Sequence, residues 1–207
     1  MNTFTKQHIA EKESDDLVDV PAAVQQAIRT LIEWTGENPD REGLVDTPKR
    51  FARAWKEYCV GYEEEPGVHL QRTFSEVGGY DDVVLLCDIP FLSHCEHHMA
   101  AIEGKVHIAY LPKNRVVGIS KLARVVQGFA KRLQVQERLT AEIADCIWEH
   151  LHPLGVAVVV EGTHACMTDR GVETPAVAMV TTRTLGVYRE DFIARQEIME
   201  LIRSSKR

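Results

Sequence analysis

The chain has 207 residues, 44% hydrophobic and 27% charged, with a formal net charge of −7. Such a length suits one globular domain with its own core. The acidic balance argues against a general nucleic-acid binder but leaves room for a local basic pocket for a phosphorylated small molecule. No apolar run is long enough to span a bilayer, and the N-terminus lacks the apolar core of a signal peptide. Five cysteines at irregular spacing do not read as a disulfide framework, so a cytoplasmic protein with neither membrane nor nucleic acid as partner is expected.

Residues 1–18 are polar and mixed in charge and read as a tail; a single domain over 19–207, N-terminal helices included, follows. Val24, Ala27, Ile28, Leu31 and Ile32 recur at helical spacing between Pro21 and Gly36. Thr47-Pro48 opens a second helix, with Thr47 as N-cap, and Arg50 and Arg53 lie three apart on it. They either face one ligand together or are two solvated surface arginines. Val83 to Ile89 reads as a strand that Pro90 ends, with the Cys95 cluster on the loop beyond. Ile102, Gly104, Val106, Ile108 and Tyr110 alternate with more polar neighbours, the pattern of a half-buried strand. Arg115 to Ile119 returns as another strand, Ser120 caps a helix carrying Leu122, Val125, Val126 and Phe129, and a further helix runs from Gln136 to His150. Strands over Gly155–Glu161 and Ala176–Thr182 and a last amphipathic helix over Asp191–Ile202 complete an α+β chain.

Chemistry concentrates in Cys95-Glu96-His97-His98 and in His164-Ala165-Cys166. Two thiolates and an imidazole are a zinc set, and Cys95, His98 and Cys166 make three ligands where a closed structural site takes four. The fourth position then belongs to water, and His97 and His164 remain as proton carriers. The alternative is a structural Zn2+ site with His164 or His94 as fourth ligand. Being adjacent, His97 and His98 are expected to point different ways. Locally extended backbone would put His164 and Cys166 on one face. Glu96 either holds a ligand imidazole or is a solvated carboxylate.

Ser120-Lys121-Leu122-Ala123-Arg124 begins a helix, where free N–H groups and a positive dipole end favour phosphate, and Arg170 adds a guanidinium near the metal loop. Glu137, in Gln134-Val135-Gln136-Glu137-Arg138, is either an acceptor for the paired N–H groups of a guanine edge or a helix-start carboxylate.

Taken in order, Arg41-Glu42-Gly43-Leu44 with Thr47-Pro48 and Arg50, Cys95-Glu96-His97-His98, Gly118 to Arg124, Gln134 to Thr140, His164-x-Cys166, Arg170-Gly171 and Leu185-Gly186 resemble GTP cyclohydrolase I over residues 21 to 204. The resemblance implies a tunnelling fold, an antiparallel sheet with helices on one side, preceded by N-terminal helices. It also implies a homodecamer of two stacked pentamers with active sites at subunit interfaces. The implied reaction converts GTP and water to 7,8-dihydroneopterin triphosphate and formate, the entry to tetrahydrofolate and other pterins. Carried over, Cys95, His98 and Cys166 hold Zn2+. His97 donates a proton toward the imidazole ring, His164 assists proton transfer, and Ser120 serves the opening ribose. Glu137 with Gln136 anchors guanine, and Lys121, Arg124 and Arg170 meet the triphosphate, with Arg50 and Arg53 reaching in from a neighbour.

One stretch departs from the family pattern. Val172 to Met179 replaces a polar, Ser/Thr-containing segment, and Asp169 stands before Arg170 where an apolar residue is usual. A carboxylate there either repels a triphosphate, pairs with Arg170 or is a tolerated surface change. Two rival readings follow: a paralogue acting on another purine or pteridine, and a non-catalytic zinc-stabilised oligomer.

Overall fold

The structure is a computed structural model that describes residues 19–75, 79–174 and 177–205, so the 1–18 tail lies outside the described residues. The chain divides into two compact units, one ending at Tyr58 and the other spanning Cys59–Arg207. In the first, α1 (Ala22–Trp34) and α2 (Thr47–Tyr58) are the two expected N-terminal helices. Phe51 stacks on Trp55, which meets Tyr58 edge-on.

The second unit is built on a five-stranded sheet. Its strands are β2 (Val84–Cys95), β3 (Ala101–Leu111), β5 (Leu133–Gln134), β6 (Gly155–His164) and β7 (Met179–Gly186), in the order β5-β2-β3-β6-β7. All pairings are antiparallel except the short β2–β5 contact. The pair β1 (Thr73–Phe74) and β4 (Val116–Val117) stands apart, so the segment expected after Asn114 returns only as this two-residue strand. The helices are α3 (Ile119–Ala130), α4 (Gln136–Leu151), the single turns α5 (Ala165–Thr168) and α6 (Val187–Glu190), and α7 (Phe192–Ser205).

Side-chain parity assigns the layers. Ile102, Val106, Ile108 and Tyr110 of β3 and Val156, Val158 and Val160 of β6 point to one face. There they join Leu122, Val125 and Val126 of α3 and Leu139, Ile143 and Ile147 of α4 in the main core. The opposite parity, Ala109, Ala157 and Val159, packs with Ile198 and Ile202 of α7 and with Tyr188. The two long helices thus share one side, and the C-terminal helix covers the other face at one end. Coverage on both faces is why β6 reads as an unbroken apolar run, and why alternation in β3 gives way to burial from Val106 to Tyr110.

β2 does not stop at Pro90. It continues to Cys95 through a register shift between Leu86 and Ile89, with Asp88 in a left-handed conformation. Proline is tolerated because β5 pairs only with His94 and Cys95, so Pro90 has a ladder neighbour on one side alone. Gly104 is required where β3 and β6 approach, since a Cβ there would lie 1.9 Å from the Glu161 carbonyl oxygen. No helix among the described residues is long and apolar enough to cross a membrane.

Ile143 is fully buried between α4 and the sheet. Ile143→Ala is expected to cost about 2–5 kcal/mol, seen as a lower midpoint of guanidinium unfolding at unchanged m-value. A loss below about 1 kcal/mol would contradict close packing at this layer.

Candidate active site

Cys95 is the last residue of β2, and the chain wraps around its peptide group. Its N–H donates to Ala100 O at 2.8 Å, and its carbonyl accepts from His98 N at 3.3 Å and Met99 N at 2.7 Å. Met99 closes this turn in the left-handed region, φ 55°. The Glu96 N–H donates to Gln134 O at 3.0 Å, which ties the turn to β5.

Cys166 arrives from the other side of β3. β6 ends at His164, and α5 carries Cys166 on its first turn, so this segment is helical rather than extended. The sheet register aligns Ser93, Ile102 and His164 across three inner strands, which brings both cysteine segments to the same end of the sheet. There one sulfur from each of Cys95 and Cys166 and a ring nitrogen of His98 all lie within 4.8 Å of one another. These residues can hold a metal ion. Burial pushes the Cys166 thiol up, the neighbouring Cys95 adds to that, and the charge of Arg170 pulls it partly back. Two sulfurs this close resist carrying charge together, and a cation bound between them would reverse that penalty. Neither His94 nor His164 belongs to the group.

The two adjacent histidines do not diverge as expected. The Nδ1 atoms of His97 and His98 both lie 3.8 Å from Cys95 Sγ, because the turn coils both rings back over the cysteine. The His97 side chain is 64% exposed and so remains open to a ligand. Glu96 neither holds a ligand imidazole nor points free into solvent: its Oε2 meets Arg138 Nη2 at 2.5 Å. Arg138 also donates from Nε to Gln134 Oε1 at 3.0 Å, so α4 clamps the metal loop through one guanidinium. Neither that clamp nor its use of Gln134 was read from the sequence; opposite charges at Glu96 and Arg138 were the available signal.

His164 is half-buried and its Nε2 lies 2.9 Å from Gln136 Oε1. Burial lowers its proton affinity and the charge of Glu137 partly restores it. Gln136, grouped with Glu137 for the guanine edge, is 1% exposed and its side-chain amide bonds within the chain. Glu137 itself is exposed at the second position of α4.

Ser120, Lys121 and Arg124 occupy the first turns of α3, with Ser120 and Arg124 exposed. Gly118, not Ser120, is the N-cap, because Lys121 N bonds to Gly118 O and places Ser120 inside the helix. Arg170 is exposed beyond α5. Asp169 accepts from Thr168 Oγ1 at 2.6 Å. Val172 is 69% exposed, and Met179 serves the site through its carbonyl, which accepts from Gln136. In the first unit, Arg50 is exposed and paired with Asp46 at 3.0 Å, whereas Arg53 is buried, so the two have different surroundings.

Cys166→Ala should abolish metal retention, measured as metal per chain after dialysis against a chelator. Arg138→Leu should keep the stoichiometry but weaken affinity about tenfold, since the clamp rather than a ligand is lost. Unchanged affinity in Arg138→Leu would show the clamp to be idle.

The GTP cyclohydrolase I family model matches residues 24–203. GTP cyclohydrolase 1 of Bartonella quintana (strain Toulouse) is 50% identical over 182 residues, 88% of each chain. GTP cyclohydrolase 1 of Brucella abortus (strain S19) is 52% identical over 183 residues, 88% of this chain and 86% of that one. Among solved structures, the archaeosine synthase QueF-Like in the apo form overlays at TM-score 0.44 and 18% identity, covering 52% of this chain and 96% of that one, too distant to bear on the site. With a match spanning the helices, the sheet and both cysteine-bearing segments, this chain belongs to the GTP cyclohydrolase I family.

Proposed function

We propose that this chain converts GTP and water to 7,8-dihydroneopterin triphosphate and formate, the first step toward tetrahydrofolate and other pterins, using Zn2+ held by Cys95, His98 and Cys166. The observation that carries this reading is the convergence of two sulfurs and one ring nitrogen, three donors and not four among the described residues, within 4.8 Å. Two thiolates and an imidazole suit zinc, and three protein ligands are the pattern of a catalytic site. When bound, zinc supplies Lewis acidity and makes solvent nucleophilic near neutral pH.

The chain's own residues supply the rest. His97 stands beside Cys95 with an exposed ring, suited to donating a proton toward the imidazole ring of the purine. His164, its proton affinity lowered by burial, takes and returns protons as formate leaves and the ribose opens. The Glu137 carboxylate accepts from the ring N–H and exocyclic amine of guanine. Ser120 serves the opening ribose. Lys121, Arg124 and Arg170 meet the triphosphate, helped by the N-terminal N–H groups of α3. Arg50 reaches the site from a neighbouring copy in a homodecamer of two pentamers, whereas Arg53 is buried, and the reaction belongs to the cytoplasm.

Against a structural zinc site stands the absence of His94 and His164 from the donor group.

The test is incubation of the zinc-loaded protein with GTP, assayed for formate and, after oxidation, a fluorescent pterin. His97→Ala is expected to keep its zinc and lose about 10²–10⁴-fold in turnover. No product from fully loaded, assembled wild-type protein would remove this reading.

A further inference from the structure

Gln136 opens α4, and every polar atom of its side chain has a partner inside the chain. Nε2 lies 2.9 Å from Met179 O, 3.1 Å from Val160 O and 3.2 Å from Thr181 Oγ1. Oε1 lies 2.9 Å from His164 Nε2. An amide can be turned over without changing its shape, so its orientation follows from what its partners can accept and donate. The two main-chain carbonyls only accept. Thr140 Oγ1 spends its proton on the Gln136 main-chain carbonyl at 2.7 Å. Its 2.6 Å contact with Thr181 Oγ1 therefore carries the Thr181 proton, which leaves Thr181 a lone pair toward Gln136. A turned-over amide would set Oε1 against three acceptors. The nitrogen must face the carbonyls, Oε1 must face the ring, and His164 Nε2 must donate.

We infer that Gln136 is a positioning residue that holds His164 as its Nε2–H tautomer, leaving Nδ1 as the ring's acceptor nitrogen. Gly162 is part of the device, because a Cβ there would lie 2.5 Å from Gln136 Oε1. The inference rests on the reading of His164 as a proton-transfer group. It assigns the Gln136 side chain to that ring rather than to guanine.

Neutron diffraction on deuterated, zinc-loaded crystals at about pH 8, where an ordinary imidazole is neutral, reads the tautomer directly. Deuterium is expected on His164 Nε2 and not on Nδ1, with the Gln136 nitrogen toward Val160 O and Met179 O. Deuterium on Nδ1, alone or with Nε2, or an amide nitrogen facing the ring, overturns the inference. In kinetics, Gln136→Met should lower kcat about tenfold or more, with KM for GTP within about threefold and zinc content unchanged. Gly162→Ala should lower kcat likewise, with Gln136 still present. A raised KM at unchanged kcat in Gln136→Met would identify a guanine contact and overturn it. Were the wild type to show no turnover of GTP, the functional reading would fall while diffraction still decided the tautomer.

Discussion

The register of β3 against its two neighbours is the constraint from which the site follows. Ile102 stands opposite Ser93 on one side and His164 on the other. β2 and β6 therefore run in the same direction and finish within two residues of each other, and two segments far apart in sequence leave the sheet at the same end. A single-residue slip in either pairing would move the end of β2 or β6 by about 3.3 Å and turn that strand's side chains to the other face. The apolar faces hold that register: Val106, Ile108 and Tyr110 with Val156, Val158 and Val160 face the long helices, and Ala109, Ala157 and Val159 face the C-terminal one. Sliding either strand would expose these side chains, at roughly 1.5–3 kcal/mol for each large one.

The first turn of α4 organises what the sheet brings together. Its start is delivered by β5, which pairs with His94 and Cys95. From there Gln136 reaches His164, the charge of Glu137 acts on the same ring, and Arg138 grips Glu96 in the metal loop. Three consecutive residues thus address both cysteine-bearing segments. Gln134, just before them, receives the Glu96 N–H and the Arg138 guanidinium. Buried polar groups in this network are matched donor to acceptor, which makes their orientation specific.

Much of this was legible in the residues themselves. Thiols and imidazoles at Cys95, His98 and Cys166 announce a soft-metal donor set wherever they meet, and the helix and strand periods announce most elements. What stayed hidden depends on tertiary partners. Pro90 reads as a strand end because its missing N–H is local, whereas its tolerance depends on how little of β2 is covered by β5. Ser120 reads as a cap because serine caps helices, but the turn from Gly118 starts the helix earlier. Arg53 reads like Arg50, and only packing separates a buried guanidinium from an exposed one. The work of Gln136 depends on carbonyls of β6 and β7, 24 and 43 residues away, which no local pattern reveals.

The most direct measurement is zinc K-edge X-ray absorption on the loaded protein, which counts and types the donors around the metal. Expected are two sulfurs at about 2.3 Å, one imidazole nitrogen and one exchangeable oxygen at about 2.0–2.1 Å. A second imidazole in place of that oxygen, or fewer than two sulfurs, would contradict a three-ligand centre built from Cys95, His98 and Cys166.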